Sequence, residues 1–571
     1  MIILGIANGE TSGACLIKNS NIIAAASEER FSRIKIDDSW PKHSINFVLK
    51  EGQINLNKVD YVVYGWSAGF NAHNQLLNYF DRVVYELKNN PSGIKLFRDR
   101  IEVELKRDKI KTEEFFKFIK NNKLYDKAHF INHHESHAWS AISCSNYESC
   151  LVITADGRGD FESLTISSFK KKKLKVLYRA TSNDSLGTFY ARISKLLGFT
   201  PHKHEGKITG LSASGNPNKC LHLMKKMIKY KNGKIYGING NYFKSFHNDH
   251  GKHKAWSKLS IKKFKKFSRE DIAAAAQKHL ELIMLNIINF YLRKTNHKNI
   301  CLAGGVFANV LLNQKIKEIK TINRIFIQPH MGDGGLPLGA AAALYFIKKK
   351  KLLNFKNMYL GPKYNLNKKL INTLSKKFNV NFKKIKDVPK LVINELSNNK
   401  IIGLCQGRME FGPRALGNRS ILYHANDKKV NTYLNKRLNR EEFMPFAPVT
   451  SETLAYKCYK KWDKNQVSAK FMTLTYNCTN LMRKNCPAVV HTDGTARPQI
   501  VNKNENKLIN KILIEWHNKT DGLSLLNTSF NHHEEPIVCS PEDAIRSYLR
   551  NNVDTLIINN FLVEEKISKS D

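Results

Sequence analysis

Cys150-Leu151-Val152-Ile153-Thr154-Ala155-Asp156-Gly157-Arg158-Gly159 reads as a buried apolar strand that delivers a carboxylate at its C-terminal end. Before it, Asn132-His133-His134-Glu135-Ser136-His137-Ala138 reads as helix, and helix followed by buried strand sets an α/β reading. His133 and His137 share one helical face with Cβ atoms roughly 6 Å apart, so both can reach one metal ion. Asp156 follows His137 by nineteen positions, and Pro329-His330-Met331-Gly332-Asp333-Gly334-Gly335 offers a second acid in an uncrowded loop. Two His and two Asp suit iron, zinc or manganese, with positions open for a substrate. A histidine pair on a helix is more often surface or satisfied core, and His134, three residues before His137, competes for the role. The acids decide the matter only where the fold brings them close.

At 571 residues the chain is too long for one compact core, so two or three domains are expected. Met1-Ile2-Ile3-Leu4-Gly5-Ile6 carries no basic leader, no window has the length of a membrane span, and ten cysteines form no C-x-x-C pair. A cytoplasmic protein with reduced thiols is the expectation. The net charge of +44 invites a nucleic-acid reading. Its lysines are spread in runs such as Lys170–Lys173 and Lys348–Lys351 without a nucleic-acid motif, which disfavours that partner and leaves a general attraction to anions.

Alternation predicts strands at Ile2–Ala7, Ala14–Lys18 and Asn21–Ser27, a helix at His43–Glu51, a strand at Tyr61–Tyr64 and a helical region over Asn74–Lys120. A lysine-rich hairpin is expected near Lys170–Lys175, and the polar stretch Lys219–Lys266 reads as an insertion or lid. The periodic helix Asp271–Leu292 leads to a strand at Ile300–Ala303, the turn Gly304-Gly305 and a helix at Val310–Lys317. Composition shifts over Lys348–Pro362, which divides the chain into 1–351, a linker at 352–363 and a second α/β domain at 364–571.

Gly407-Arg408-Met409-Glu410-Phe411-Gly412-Pro413-Arg414-Ala415-Leu416-Gly417-Asn418-Arg419-Ser420 concentrates arginine beside glycine in a chain whose cations are mainly lysine. Glycine lets a backbone approach a ligand, and arginine forks bind phosphate or carboxylate, so an anion site is expected here. The segments Asn439–Glu442, Pro445–Pro448, His491–Arg497 and Leu526–Asn531 have the same character.

Glu28-Glu29-Arg30-Phe31-Ser32-Arg33 with Lys35 and Asp37, then His133-His134-x-x-His137-Ala138, Asp156–Gly159, Ser185–Tyr190, Glu205–Leu211, Gly304–Asn309, Gly332–Gly335 and the set from Gly407 to Asn531 follow one another along nearly the whole chain. Together they resemble the carbamoyltransferase family of nodulation protein U, tobramycin carbamoyltransferase and cephalosporin hydroxymethyl carbamoyltransferase. The resemblance implies an actin-like ATPase domain (a duplicated βββαβα unit), followed by a smaller α/β domain like the one that forms the activated carbamoyl donor in the tRNA threonylcarbamoyl pathway. It implies an ATP-dependent O-carbamoyltransferase. Carbamoyl phosphate and Mg-ATP would give carbamoyladenylate in the C-terminal domain. The N-terminal domain would then pass the carbamoyl group to a hydroxyl of a sugar, nucleotide-sugar or natural product. A homodimer fits the family.

Carried over by motif, His133, His137, Asp156 and Asp333 would hold Fe(II) or another divalent ion. Lys35, Gly157, Asn309 and Asp333 would flank the nucleotide, and Arg414, Arg440, Arg497, Asn527 and Ser529 would take carbamoyl phosphate and ATP. The catalytic candidates are Lys35, Glu10 and Arg414. Gly9-Glu10 stands where the family has a His-Asp pair, which makes Glu10 the candidate base, and Met444 replaces an arginine. The alternatives are a tRNA threonylcarbamoyl-type transferase and a catalytically impaired protein that binds nucleic acid or an anionic surface.

Overall fold

The computed structural model describes residues 1–67, 73–81, 84, 89, 91–237, 262–439 and 446–566. The opening alternation becomes β1 (Ile2–Ala7), β2 (Gly13–Lys18) and β3 (Asn21–Ser27). β1 pairs antiparallel with β2 and parallel with β4 (Tyr61–Tyr64), which pairs parallel with β5 (Ala128–Phe130), giving the order β3-β2-β1-β4-β5. A second meander follows: β6 (Cys150–Gly159), β7 (Glu162–Lys170) and β8 (Lys173–Thr181). After a hairpin of β9 (Ile228–Lys231) and β10 (Lys234–Gly237), β11 (Asn299–Ala303) and β12 (Arg324–Ile327) add parallel beside β6, in the order β12-β11-β6-β7-β8. Each sheet is thus an antiparallel meander extended by two parallel strands through helical crossovers. That repeat is the duplicated βββαβα arrangement expected of an actin-like ATPase fold.

The helix His133–Ser145 follows β5, and the helix Leu336–Lys349 follows β12, so the two occupy equivalent places in the two repeats. They approach closely through glycine. A Cβ at Gly339 would lie 1.8 Å from Ser136 O, and one at Gly5 on β1 would lie 2.0 Å from Pro337 O. Of the helical region expected over Asn74–Lys120, the described residues form helices at His73–Asp81 and Pro91–Asn121, the second with Pro91 at its first position, while most of 82–90 lies outside the described residues. Of the expected lid, residues 219–237 hold a short helix and the β9–β10 hairpin, and 238–261 lie outside the described residues.

The chain divides into two compact units, Met1–Ile23 with Leu49–Phe355 and Ala24–Val48 with Lys356–Asp571. One boundary between the units lies at Phe355–Lys356, and Ala24–Val48 groups with the second unit. Its bonding partners explain this: Ala25 N donates to Leu360 O, Arg30 to Gly412 O and Arg33 to Pro536 and Ile537 carbonyls. The second unit contains β13 (Val380–Lys384), β14 (Ile402–Cys405), β15 (Arg419–His424), β16 (Ala447–Ser451), β17 (Tyr476–Asn477), β18 (Thr495–Ala496), β19 (Gln499–Val501), β20 (Leu525–Ser529), β21 (Thr555–Ile558) and β22 (Phe561–Glu565). Eight of these form one sheet, β13-β22-β21-β14-β15-β20-β16-β19, over a core that includes Val392, Leu404, Ile512, Leu513 and Trp516. Among the described residues no helix is long and apolar enough to cross a membrane, and all ten cysteines are free and buried.

Candidate metal centre and anion site

Asn132 caps the helix His133–Ser145 by accepting from Glu135 N at 3.0 Å, which sets His133 and His137 one turn apart. Both rings are fully buried. His137 Nε2 lies 3.0 Å from Asp156 Oδ2 and 3.7 Å from Asp333 Oδ1, and His133 Nε2 lies 3.8 Å from each. The four donor atoms fall within 4.8 Å of one another. Asp156 does not end its strand as expected. β6 runs on to Gly159 through a register shift against β7 between Ala155 and Gly159, and a bulge of this kind re-aims the side chains it contains. Asp333 starts the turn before Leu336–Lys349, and its Oδ2 accepts from Glu10 N at 2.8 Å.

Glycine clears room for the ligands on two sides. A Cβ at Gly159 would lie 2.2 Å from the His133 ring, and one at Gly9 would lie 2.3 Å from Asp333 Oδ2. Burial pulls the His137 imidazolium down, but bonds to Asp156 and Asp333 and their charges outweigh it and raise the group to about 9. For Asp156 burial acts upward, yet both imidazoles hold it well below the usual carboxylate range. Burial and its two neighbouring imidazoles hold His134 well below the normal histidine value, and its Nδ1 sits 2.7 Å from Thr154 Oγ1 in a core hydrogen bond. His134 is therefore a neighbour of the cluster, and His133 and His137 are its nitrogens.

The residues fit a divalent ion. His133 Nε2 is buried with no hydrogen-bond partner among the described residues, and 3.8 Å to either carboxylate exceeds hydrogen-bond length. Metal bonds near 2.1 Å set adjacent ligands roughly 3 Å or more apart, which is the spacing these atoms approach. Asp160, missed in the sequence, braces the cluster by accepting from His133 N and Ser67 N at 2.8 Å each. Trp66 stands edge-on to His133 at 4.4 Å, and Arg158 lies over Trp66 while pairing with Asp108 at 3.1 Å. An acid two residues beyond Arg158 was a readable signal; Asp108, on a long helix, gave none.

The other first-unit candidates hold different posts. Gly157 N donates to Asp156 Oδ1 at 2.6 Å, with open space where a Cβ would stand. Asn309 caps the helix Val310–Lys317 and exchanges amide bonds with Gln277 at 2.7 and 3.2 Å. The Glu10 carboxylate meets His202 Nδ1 at 2.6 Å. Lys35 belongs to the second unit, where its ammonium lies 3.8 Å from Glu534.

In the second unit, residues 407–420 wrap around Glu410, whose Oε1 accepts from Leu416, Asn418 and Arg419 N at 2.7, 2.8 and 3.2 Å. The arginines divide by role. Arg408 donates to Leu360 and Gly361 carbonyls, and Arg419, 1% exposed, donates to Gln406, Asn418 and Cys539 carbonyls. Arg414 differs: its buried Nε has no partner among the described residues, and burial pushes its guanidinium down to about 10. Asn527 on β20 donates to Ala415 O at 3.2 Å and Gln499 Oε1 at 2.8 Å, and Gln499 donates to Leu416 O at 2.8 Å, which ties β19 and β20 to the residues after Arg414. Ser529 faces Ser420 across the β15–β20 ladder. Arg497 lies between β18 and β19; burial and then the Arg497 charge hold His491 down to about 4. Arg440 and Met444 lie outside the described residues.

Residues 2–342 match the family described as Carbamoyltransferase N-terminus, and residues 393–565 match Carbamoyltransferase C-terminus. The chain belongs to the carbamoyltransferase family. This carbamoyltransferase is 33% identical over 574 residues to an uncharacterized protein of Methanocaldococcus jannaschii, covering 99% of this chain and 100% of that one. It is 30% identical to nodulation protein NolNO of Sinorhizobium fredii, over 97% of this chain and 78% of the relative. Against nodulation protein U of Sinorhizobium fredii the identity is 28%, over 46% of each chain. Among solved structures it resembles component A of Acidaminococcus fermentans (R)-2-hydroxyglutaryl-CoA dehydratase (13% identity, TM-score 0.33, 62% of this chain and 100% of that one). It also resembles full-length HypF in its phosphate- and nucleotide-bound form (13%, 0.30, 62% and 56%). Both likenesses are too loose to bear on the function of this chain.

Proposed function

We propose that this carbamoyltransferase is ATP-dependent: it makes carbamoyladenylate, pyrophosphate and phosphate from carbamoyl phosphate, Mg-ATP and one water, then carbamoylates a hydroxyl of a sugar, nucleotide-sugar or natural product. The observation that carries the reading is that one chain of this family holds both a His-His-Asp-Asp cluster and, in its other unit, a half-buried arginine whose buried Nε has no partner and no offsetting acid among the described residues. A guanidinium buried at that cost is suited to an anion, because a bidentate phosphate restores its missing charge and hydrogen bonds. Arg414, with Arg497, Asn527, Ser529 and Arg440, binds the phosphates and offsets the charge that develops as pyrophosphate and phosphate leave.

In the first unit, His133, His137, Asp156 and Asp333 would hold Fe(II) or another divalent ion, which when bound polarises a carbonyl as a Lewis acid. Gly157 leaves space beside Asp156 for the nucleotide, and Asn309 completes its surroundings within this unit. Glu10 takes the proton from the acceptor hydroxyl as that oxygen attacks the carbamoyl carbon and AMP departs. The contact with His202 keeps the Glu10 carboxylate oriented. The protein works in the cytoplasm, as a homodimer.

Incubation with ATP and carbamoyl phosphate tests the reading: pyrophosphate and carbamoyladenylate should accumulate. No adenylate, together with tight salt-sensitive RNA binding, would replace it with the nucleic-acid reading.

A further inference from the structure

The short helix Glu29–Ser32 belongs to the second unit. Its surroundings are firmly built. Glu28 accepts from His43 N and Ser44 N at 2.9 and 2.8 Å, at the start of the helix Lys42–Glu51, and Glu29 accepts from Ile36 N at 2.8 Å. Two arginines project from this anchored turn. Arg30, 5% exposed, donates to Gly412 O at 2.8 Å, two residues before Arg414. Arg33 donates to Ile537 O at 2.7 Å and to Pro536 O at 2.8 Å, and its Nε lies 3.5 Å from Asp543. Asp543 accepts in turn from Cys539 N and Ser540 N at 3.0 and 2.9 Å, so the fork grips a loop already fixed at its far end. Phe31 packs on Met409, Ile537 and Cys539 between the two grips.

Arg33 stands at the C-terminal end of this helix in the left-handed conformation, φ +61°, with which helices commonly end. Two successive carbonyls on two guanidinium nitrogens is a geometry that an ammonium does not reproduce. The gripped segments are the loop that carries Arg414 and the loop that continues from Asn527 and Ser529. We propose that Arg30 and Arg33 are positioning residues of the Arg414 anion site: residues 28–33 supply two clamps that hold its two loops at working separation. Neither arginine touches the anion. The proposal rests on Arg414 binding phosphate, the role proposed for it in adenylate formation.

The test uses the full chain carrying Arg33→Ala, Arg33→Lys or Arg30→Ala, with Lys377→Ala as control, whose ammonium meets Glu542 at 2.8 Å on the surface. The probes are inorganic pyrophosphate, followed by calorimetry, and carbamoyl-phosphate-dependent ATP–pyrophosphate exchange. Loops that drift by about 1 Å cost up to roughly 100-fold in such a site, so both alanine variants should bind pyrophosphate roughly 10- to 100-fold more weakly. In the exchange reaction the loss should fall on KM for carbamoyl phosphate more than on kcat. Amides of 408–416 and 530–540 should exchange with deuterium faster, and Arg33→Lys should recover only part of the affinity. Lys377→Ala should match the wild type.

A purely structural role would lower the melting temperature and leave the pyrophosphate affinity of the folded fraction unchanged; that result overturns the proposal. Wild-type protein that binds pyrophosphate but forms no adenylate removes the proposed reaction, while the variants still decide the clamps. Wild-type protein that binds no pyrophosphate removes both.

Discussion

A methyl group at position 159 asks whether His133 is held as a ligand. On Gly159 a Cβ would stand 2.2 Å from His133 Cδ2 and Cγ and 2.6 Å from Nδ1. Ordinary van der Waals contact needs about 3.5 Å, so the imidazole must withdraw by more than about 1 Å. The ring has little freedom to do so harmlessly: His133 N is bonded to Asp160 at 2.8 Å and Trp66 stands 4.4 Å away. Spoiling the aim of one ligand costs roughly 10- to 100-fold in metal affinity, equivalent to about 1.4–2.8 kcal/mol. Cobalt(II) or zinc(II), titrated against a competing chelator, reads that loss directly. The metal-dependent rise in Tm should shrink in step, because stabilisation by a ligand follows its affinity. Gly210→Ala, where a Cβ would meet nothing within 4 Å, serves as the control and should bind metal like the wild type. Folded Gly159→Ala protein that binds metal within about twofold of wild type would refute the placement of His133 in the centre.

His137→Ala should abolish metal binding and carbamoyl transfer while adenylate synthesis continues, and Arg414→Ala should do the reverse when carbamoyladenylate is supplied; equal loss of both steps in either folded variant contradicts a two-site division. Burial first, and the Lys225 charge, hold His279 down to about 4, although its bond to Ile228 O opposes them. The folded state then binds fewer protons than the unfolded one between pH 6.5 and about 4, so this contribution is complete above pH 6.5 and is lost as pH falls through that window. Urea melts should show His279→Gln with a flatter acid limb, by up to about 3 kcal/mol across the window. Asn132→Ala removes the cap beneath the histidine pair and should cost about 1 kcal/mol in the same melts, with metal affinity falling alongside.

What the sequence makes readable here is local order. Strands with a clear apolar run, β1 and Tyr61–Tyr64, end where alternation places them, as does the helix Val310–Lys317. The metal cluster is readable only in pieces. Helical spacing pairs His133 with His137, but nothing near either residue announces Asp333; the repeat of one sheet topology sets the helix after β5 against the turn and helix after β12. The bulge that re-aims Asp156 leaves no mark on an apolar run ending in Asp-Gly. Arginine roles are equally hidden. Arg408, Arg414 and Arg419 look alike beside glycine, yet two satisfy main-chain carbonyls and one does not, a distinction that depends on Leu360 and Cys539 far along the chain. The membership of Ala24–Val48 was unreadable for the same reason, since its partners begin more than three hundred residues later.

That segment has a consequence for how the protein comes into being. Residues 24–48 leave the ribosome about 300 residues ahead of Lys356, where the rest of their unit begins. At synthesis rates of roughly 5–20 residues per second, Arg30 and Phe31 wait roughly 20–75 s for Gly412 and Met409, and Arg33 waits roughly 25–100 s for Pro536 and Ile537. The first unit can fold during that interval, whereas the second cannot finish until its own last strands appear. Neither unit can be released by a single cut in the gene, and a fragment that begins after residue 48 would start life without its clamps.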